Sequence, residues 1–212
     1  MIKTLLFDFD GVIADTEPIY DQFWNETAQR YNLGIPNFAA KIKGTIMPNI
    51  MKTYFSHYSP EQCARLQKEC DDFEDTITYS EIPGALRFIE MVKQKGMLIG
   101  LVTSSTERKI KKALPELKLE NAFDTIVTAD QIIEGKPSPQ CYLLAAQKLQ
   151  TNPSQCLVFE DSFAGIEAGQ HAGMKVIALS TTNSAKSLQE KNDIIIPDFQ
   201  NITWEDMQLW IG

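Results

Sequence analysis

The chain has 212 residues, of which 43% are hydrophobic and 23% charged, and its formal net charge is −8. This composition excludes disordered and fibrous classes of protein. The acidic charge argues against nucleic-acid partners. The most basic stretch is Lys109, Lys111 and Lys112, which we interpret as one solvated helix face. No apolar run approaches the ~20 residues of a membrane span, so no membrane partner is expected. No cysteine pair has metal-ligand spacing, and this cysteine usage suits the reducing cytoplasm. We expect a cytoplasmic monomer.

The first predicted element is a β-strand. Residues 2–9 form an apolar run that Gly11 ends, as expected of a strand that is buried on both faces. Five further apolar runs predict strands over residues 97–103, 125–128, 155–160, 175–179 and 193–196.

Helices are predicted between these strands. Pro83 and the pair Ser138-Pro139 are typical of helix starts, whereas Gly96 and Pro115 are typical of helix ends. Strand and helix alternate from residue 82 onward, which predicts the α/β class: a Rossmann-like parallel sheet core wound with helices. The predicted helices cover residues 83–95, 106–113, 138–149, 164–172 and 204–211.

Residues 15–80 interrupt this alternation. They carry aromatic and apolar residues at helical spacing and no convincing strand, and about 65 helical residues far exceed an ordinary crossover. One interpretation is that these helices pack on the sheet. The interpretation we favour is a helical cap inserted after the first strand, with hinges near Thr16 and Ser80. The expected domains are then an α/β catalytic core, residues 1–14 and 81–212, and a helical cap, residues 15–80.

Side chains with catalytic potential follow four of the predicted strands. In open parallel sheets, ligands bind beyond the carboxyl ends of the strands. Acids, hydroxyls and one lysine are therefore expected to meet at one edge of this sheet. The strand-end segments, in chain order, are Asp8-Phe9-Asp10-Gly11, Thr103-Ser104-Ser105, Gly135-Lys136-Pro137 and Glu160-Asp161-Ser162.

This set of side chains suits phosphoryl transfer. Carboxylates held close together repel each other, and Mg²⁺, which prefers oxygen ligands, relieves that repulsion while bridging to a substrate phosphate. One carboxylate can attack phosphorus and form an acyl phosphate, and a second carboxyl group can protonate the leaving oxygen. An ammonium group and hydroxyl or N–H donors stabilise the charge on the transferred group.

Each motif taken alone also has an ordinary structural explanation. Asp8 and Asp10 are then turn or capping acids, and Lys136 is a solvated lysine. The Thr-Ser-Ser run and the Glu160-Asp161 pair are then N-caps of the helices that follow them. The order of all four motifs, each at a strand end, favours the catalytic interpretation.

The four motifs resemble those of the haloacid dehalogenase superfamily of phosphotransferases and, within it, the phosphatase and beta-phosphoglucomutase-like group. The resemblance covers nearly the whole chain, including a helical cap, and is more specific for the superfamily than for the substrate. The matching residues are Asp8 to Glu17 for the first motif, Thr103 for the second, Lys136 for the third, and Glu160-Asp161 with Gly165 for the fourth.

The resemblance implies a role for each matched residue. Asp8 is the expected nucleophile and a Mg²⁺ ligand. Asp10 is the expected general acid/base, and its backbone carbonyl also binds the metal. Asp161 and the neighbouring Glu160 complete the metal site. The phosphoryl group is expected to be held by Thr103, backbone donors around Ser104 and Lys136.

Substrate choice is expected to lie in the cap. Lys43, Gly44 and Thr45 are candidate substrate- or phosphate-binding residues. They lie in the segment Lys41 to Met47, which aligns with the cap segment in which sugar-phosphate mutases of this group supply an arginine for the non-transferring phosphate, and that position is Met47 here. Tyr20 stands where the mutases carry a histidine. Both departures favour hydrolysis. Lys41 or Lys43 is a candidate substitute for the arginine, the alternative being that both are solvated surface lysines.

Three functions are therefore compared. The first is a Mg²⁺-dependent hydrolase of a small phosphomonoester, expected to be a sugar phosphate, that acts through an aspartyl-phosphate. The second is an isomerase of the beta-phosphoglucomutase type. The third is a phospho-accepting signalling domain of the receiver type. Receivers carry the accepting aspartate at the third strand and lack a helical insert, so the position of Asp8 argues against the third.

Overall fold

A computed structural model describes all 212 residues and contains one six-stranded sheet. The strands are β1 (Thr4–Phe7), β2 (Leu98–Val102), β3 (Thr125–Val127), β4 (Cys156–Glu160), β5 (Lys175–Leu179) and β6 (Ile195–Ile196). Every strand pair is parallel, and the strand order β3-β2-β1-β4-β5-β6 places β1 at the centre between β2 and β4. The predicted α/β class with a Rossmann-like parallel sheet is confirmed.

The central strands are buried on both faces, as their apolar runs predict. Along β1, Leu5 and Phe7 pack into one hydrophobic cluster, whereas Leu6 packs into the cluster on the opposite face, because successive side chains of a strand alternate. Phe7 stacks on Phe159 of β4 with ring centroids 4.9 Å apart. Burial of each such side chain stabilises the fold by about 1.5–3 kcal/mol, which fixes the register of β1 against its neighbours.

The segment 15–80, which follows β1, contains four helices: α1 (Glu17–Arg30), α2 (Phe38–Ile42), α3 (Met47–Tyr54) and α4 (Pro60–Thr76). They enclose a hydrophobic cluster of their own around Phe38, Phe55 and Leu66, separate from the two clusters that flank the sheet. Helix α4 begins with a capping box in which Ser59 and Gln62 exchange hydrogen bonds. The helical content predicted for this segment is therefore present.

The segments that enter and leave these four helices run side by side. The amide of Asp15 donates to the carbonyl of Ser80 (2.9 Å), and the amide of Ile82 donates to the carbonyl of Ile13 (2.8 Å). The two predicted hinge positions are thus adjacent in space. The division into core and cap stays a prediction, since rigid-body movement has to be measured.

The remaining helices cover the two faces of the sheet. None of the helices has the length and apolar character needed to cross a membrane. Two short 3₁₀ turns occur, Ala129–Gln131 after β3 and Pro153–Gln155 before β4. The helices are α5 (Ala85–Gln94), α6 (Glu107–Glu116), α7 (Gln140–Lys148), α8 (Phe163–His171), α9 (Ala185–Leu188) and α10 (Trp204–Ile211).

Three helix ends predicted from proline differ in the structure. Pro83 lies outside α5, which begins after Gly84, and α7 begins one residue after Pro139. Helix α6 does not stop before Pro115 but includes it in its last turn. There the missing N–H forfeits only one intrahelical bond, and the helix continues because the amide of Leu117 bonds to the carbonyl of Ala113 (3.1 Å).

Candidate active site

The carboxyl ends of β1 and β4 bring three acids together. Asp8 directly follows β1, Glu160 is the last residue of β4, and Asp161 follows it. Carboxylate oxygens of all three lie within 4.8 Å of one another, and all three residues are buried. This is the point in the strand order at which successive connections leave on opposite sides, and it opens a crevice beyond the sheet edge.

Lys136 reaches into this acidic cluster. Its Nζ lies 2.7 Å from Asp8 Oδ1 and 2.5 Å from Glu160 Oε1, and its side chain is 1% exposed. Burial by itself lowers the pKa of Lys136, but the charges of Asp8 and Glu160 outweigh it and raise the pKa, so the ammonium persists. The alternative of a solvated lysine is therefore wrong. We call Asp8, Lys136, Glu160 and Asp161 the catalytic floor.

Glu160 has a donor on each carboxylate oxygen. Oε1 accepts from Lys136 and from the hydroxyl of Tyr142 (2.9 Å). Oε2 accepts from the amide of Asp161 (3.0 Å) and from the amide and hydroxyl of Ser162. A Cβ at Gly165 would lie 1.7 Å from Oε1, so the first turn of α8 can pack against this carboxylate only with glycine there. The geometry suits an anchor for Lys136, and direct ligation of a metal by Glu160 stays a prediction.

Asp161 is free of the capping role that its position offers. Ser162 caps α8 instead, since its Oγ accepts from the amide of Gly165 (3.0 Å). The hydroxyl of Thr182 donates to Asp161 Oδ2, and the side chain of Asn183 donates to the Asp161 carbonyl (2.9 Å). Gly11, at a φ of +73°, lies so near that a Cβ would sit 2.0 Å from Asp161 Oδ2.

The residues that follow β5 also belong to the site, although no sequence motif predicted them. Thr182 and Asn183 come shortly after the carboxyl end of this buried strand, and both bond to Asp161. The rule that found the other strand-end motifs applies here too, because all parallel strands end at the same edge.

The donor set of the floor fits Mg²⁺. Asp8 Oδ2 and Asp161 Oδ1 accept no hydrogen bond, in contrast to their partner oxygens. Burial, together with the charge of Glu160, raises the pKa of Asp8 to about 7 against the opposing effect of Lys136, and burial also raises the pKa of Asp161. Buried carboxylates that have one oxygen free and oppose each other's ionisation are a suitable site for a hard divalent cation.

Asp10 is held by three donors from different segments of the chain. The hydroxyl of Thr16 donates to Oδ1, the hydroxyl of Ser105 donates to Oδ2 (2.8 Å), and Lys109 Nζ lies 2.6 Å from Oδ1. Burial opposes ionisation of Asp10, but Lys109 and the two hydroxyls outweigh it and lower the pKa of this carboxyl group. In this arrangement Asp10 is a carboxylate, ready to accept a proton.

The interpretation of Lys109, Lys111 and Lys112 as one solvated helix face is wrong for two of them. The Lys109 side chain is 2% exposed and its Nζ lies 4.2 Å from the centre of the Tyr20 ring. Lys112 Nζ donates to the carbonyls of Glu74, Asp75 and Ile77 at the end of α4. Only Lys111 faces solvent. The spacing of the three lysines indicated this difference. Lys109 and Lys112 are three residues apart and share a helix face, on which Lys111 does not lie.

The Thr-Ser-Ser segment after β2 is not needed as a helix cap. Thr106 caps α6, and its hydroxyl accepts from the amide of Lys109 (3.3 Å). Thr103 is 1% exposed, lines the cavity above the floor, and accepts from the amide of Ser105 (3.0 Å). Ser104 Oγ donates to the carbonyl of Gly44 (2.7 Å), which ties this loop to the segment before α3.

A cavity separates the catalytic floor from α1, α3 and α4. Its empty volume, including the part open to solvent, is about 1020 Å³. Thr103, Ser104, Asp10 and the predicted segment Lys43-Gly44-Thr45 all line it. We call the side that the segment 15–80 contributes the cap wall; its aromatic and charged residues and Met47 are Glu17, Tyr20, Asp21, Phe23, Trp24, Lys43, Met47, Asp71, Phe73 and Glu74.

The structure separates the two lysines proposed as phosphate anchors. Lys41 is exposed and away from the cavity, as expected of a surface lysine. Lys43 is neither solvated nor free, because its Nζ pairs with Glu17 and with Asp21 (3.0 Å) and its side chain is 17% exposed. Tyr20 donates its hydroxyl to Glu74 Oε1 (3.3 Å).

Comparisons with known proteins agree with this geometry. A family model described as haloacid dehalogenase-like hydrolase matches residues 5–179. A validoxylamine A 7'-phosphate phosphatase of Streptomyces hygroscopicus subsp. limoneus is 30% identical, with 96% of this chain and 97% of the relative covered. A phosphorylated carbohydrates phosphatase of Thermotoga maritima is 31% identical, with coverages of 92% and 94%.

Among solved structures, a beta-phosphoglucomutase of Clostridium difficile superimposes with a TM-score of 0.84 at 26% identity, covering 99% of this chain and 96% of the other. Phosphatases and a mutase are thus both similar to this chain. The resemblance read from the four motifs is confirmed.

Proposed function

The chain belongs to the haloacid dehalogenase-like hydrolase family, and we propose that it is a magnesium-dependent phosphatase that hydrolyses a small phosphorylated sugar through a phosphorylated Asp8. The observation that carries this proposal is the state of Asp8, which bonds to Lys136 through Oδ1 and has no donor on Oδ2, at the base of the cavity. The two phosphatase relatives support the substrate class, because their names specify phosphorylated carbohydrates and validoxylamine A 7'-phosphate.

In the first step, Asp8 Oδ2 attacks phosphorus in line with the ester oxygen. The P–O ester bond breaks as the Asp8–phosphorus bond forms, and the leaving oxygen takes a proton from Asp10. Lys109 holds Asp10 ionised in the arrangement described above. Asp10 therefore takes the proton that it donates from water: from solvent before the first turnover, and from the attacking water of the second step in each later turnover. Thr103, donors around Ser104 and Lys136 stabilise the charge on the transferred group.

In the second step, water hydrolyses the acyl phosphate. Asp10, now a carboxylate, takes a proton from water while the water oxygen attacks phosphorus and the bond to Asp8 breaks. Inorganic phosphate leaves and Asp8 is restored. The buried ion pair of Asp10 with Lys109 favours the ionised form that this step requires.

We propose that Asp8, Asp161 and the backbone carbonyl of Asp10 hold the magnesium ion, with Glu160 near it. The ion supplies neutralisation of the negative charge shared by the floor and the phosphoryl group. Thr182 and Gly11 position Asp161 for ligation, the first by its hydrogen bond and the second by leaving room for the carboxylate. Glu160 orients Lys136 through their ion pair, and this role does not depend on whether Glu160 also binds the metal.

We propose further that residues 15–80 act as a cap that closes over residues 1–14 and 81–212. Support comes from the separate hydrophobic cluster of the helices and from the paired segments at Asp15 and Ser80. The contact of Ser104 with Gly44 joins the two parts at the cavity. The four cysteines are all free, which is compatible with the cytoplasm, where we place the protein as a monomer.

The mutase alternative is favoured by one observation, the likeness to a beta-phosphoglucomutase. The cap wall argues against it. Met47 is uncharged, and Lys43 is occupied by two carboxylates, so a second phosphate finds no free cation there. The receiver alternative is not supported. The haloacid dehalogenase-like hydrolase model matches residues 5–179, and Asp8 follows the first strand, whereas receivers carry the accepting aspartate at the third.

One assay separates the two enzymatic functions. The purified protein is incubated with a panel of sugar phosphates, with Mg²⁺ or with a chelator, and both free phosphate and isomerised sugar phosphate are quantified. The phosphatase releases one phosphate for each sugar phosphate consumed and stops when the metal is removed. Conversion of beta-glucose 1-phosphate to glucose 6-phosphate with little free phosphate would replace this proposal by the mutase.

A further inference from the structure

The cavity extends from the catalytic floor to the cap wall, since residues of both line it. With the phosphate at the catalytic floor, the rest of the substrate must lie against the cap wall. The charges and shapes on that wall therefore decide which phosphomonoesters are accepted.

No free cation is available on the cavity lining. The two lysines that line it are already paired, Lys109 with Asp10 and Lys43 with Glu17 and Asp21. No arginine is among the lining residues. A second phosphate or a carboxylate on the substrate would lose its hydration and gain no uncompensated positive charge in return.

Hydrogen-bond acceptors are abundant on the same wall. Glu17, Asp21, Asp71 and Glu74 line it, against Lys43 as the one cation that the cap contributes. Glu17 and Asp21 each use one carboxylate oxygen for the ion pair with Lys43, Oε2 and Oδ1 respectively. The other oxygen of each carboxylate is left to accept a hydrogen bond, which a hydroxyl or ammonium group of a ligand can donate.

Aromatic rings complete the cap wall. Phe23 and Phe73 stack on each other with ring centroids 4.1 Å apart, and Tyr20 and Trp24 pack edge-on against this pair. All four line the cavity. Ring faces beside carboxylate oxygens suit a molecule that has C–H groups on one side and hydroxyl or amino groups on the other.

Resting on the proposed phosphatase function, we propose that the substrate is a monophosphate whose remaining part is an uncharged or amine-bearing polyol, and that the enzyme rejects bisphosphates and phosphorylated carboxylic acids. The paired state of Lys43 is the cause of this rejection. The carboxylates that neutralise Lys43 act as specificity determinants, although they do not contact the phosphoryl group.

Matched pairs of esters test the proposal, because each pair changes one group. Sorbitol 6-phosphate has a hydroxymethyl group where 6-phosphogluconate has a carboxylate. Glycerol 3-phosphate and 3-phosphoglycerate differ in the same way. Glucose 6-phosphate is compared with glucosamine 6-phosphate and with glucose 1,6-bisphosphate. We expect kcat/KM for the uncharged or amine-bearing member to exceed that for the additional anion by about tenfold or more in each pair. Equal values, or preference for the anion, overturn the proposal.

A gain of function tests the assigned cause. In the double variant Glu17→Gln/Asp21→Asn, Lys43 is released, and kcat/KM for 6-phosphogluconate and glucose 1,6-bisphosphate should rise by about tenfold. Adding Lys43→Met should remove the gain. Asp72→Asn is the matched control, since Asp72 lies on α4, pairs with Lys68 and does not line the cavity. If the double variant does not fold, Asp21→Asn alone is used, because the Asp21 side chain is 43% exposed.

The two proposals fail differently. p-Nitrophenyl phosphate has no polyol, so its Mg²⁺-dependent hydrolysis reports the floor chemistry alone. Hydrolysis of this ester with no selectivity among the matched pairs overturns the substrate class and leaves the phosphatase. If no ester is hydrolysed, the phosphatase proposal fails, and calorimetric affinities of the same pairs for the Asp8→Asn variant still support or overturn the ranking by charge.

Discussion

The catalytic floor and the cap wall both combine lysine with carboxylates, but they use the combination in opposite ways. On the floor, Lys136 pairs with Asp8 and Glu160, while Asp8 Oδ2 stays open to the cavity. On the cap wall, two carboxylates take up Lys43. The same residue types thus make a reactive centre in one place and a neutralised lining in the other. What differs is which oxygen or nitrogen remains without a partner.

The largest expected effect is at the floor, from Asp8→Asn. The amide cannot attack phosphorus, so we expect kcat to fall by at least about 10⁴-fold with the fold intact. Phosphate release and the circular dichroism spectrum are the measurements. Asp193→Asn, an exposed acid near the last strand, is the control and should keep normal activity. Activity within tenfold of the wild type in Asp8→Asn would show that the floor is not a nucleophilic site.

Asp10→Ala is next. Removal of a general acid/base costs about 10²–10⁴-fold, and the loss should appear in kcat with KM little changed. Because Asp10 acts in both steps, a burst of p-nitrophenol followed by slow turnover is expected with p-nitrophenyl phosphate. The absence of such a burst, with overall loss of activity, would contradict the role in the second step.

Lys109→Met examines the link between floor and cap wall. Loss of the ion pair leaves Asp10 misplaced, and we expect a fall of roughly 10–100-fold in kcat/KM for a sugar phosphate. The effect on kcat/KM for p-nitrophenyl phosphate should be much smaller, since its leaving group needs no proton. Lys109→Arg should recover much of the activity. Lys111→Met, on the exposed side of α6, is the control. Equal losses with both esters would indicate a merely structural role.

Addition of Mg²⁺ should raise the melting temperature of the protein. Binding at about a hundred times Kd stabilises by roughly 2.7 kcal/mol, which corresponds to about 5–10 °C for a chain of this size. Asp161→Asn should reduce the shift, as measured by thermal unfolding with and without metal.

The same shift should depend on pH. The pKa of Asp8 is raised from 3.8 to about 7, so between these values the native state holds more protons than the unfolded state, and stability without metal falls as pH rises. Protons compete with the metal in this window. The increase in melting temperature on adding Mg²⁺ should therefore be larger at pH 8 than at pH 5, and the reverse order would contradict a site built on Asp8.

Arg108→Ala should give the smallest effect. Arg108 links α6 to Asp75 (2.5 Å) and Asp71 (3.4 Å) on α4, but its side chain is 46% exposed. Exposed pairs contribute about 0–1 kcal/mol, so we expect a small loss of stability and activity within about twofold. A large loss would show that the contact of α6 with the helices controls the floor, which would weaken the contrast between the two regions.

Much of the fold and of the floor could be predicted from the sequence. Apolar runs located all six strands to within a few residues, and the strand-end rule placed Asp8, Lys136, Glu160 and Asp161 at one edge. The rule works because parallel strands must all end on the same side. Helix ends were less predictable, since Pro115 is tolerated in a last turn where only one hydrogen bond is lost.

The sequence by itself determined the residue types that meet beyond the strands, because the buried β1 and β4 carry their acids to a common edge. Only the tertiary structure decided the partners of the other charged residues. Lys109 and Lys111 lie two positions apart in the same helix, yet one is buried against Asp10 and the other is exposed. Lys43 is neutralised because α1 brings Glu17 and Asp21 beside it. Spacing along the chain puts Lys109 and Lys111 on different faces of the helix. Which face meets Asp10, and which residues pair, depends on how separate elements pack in space.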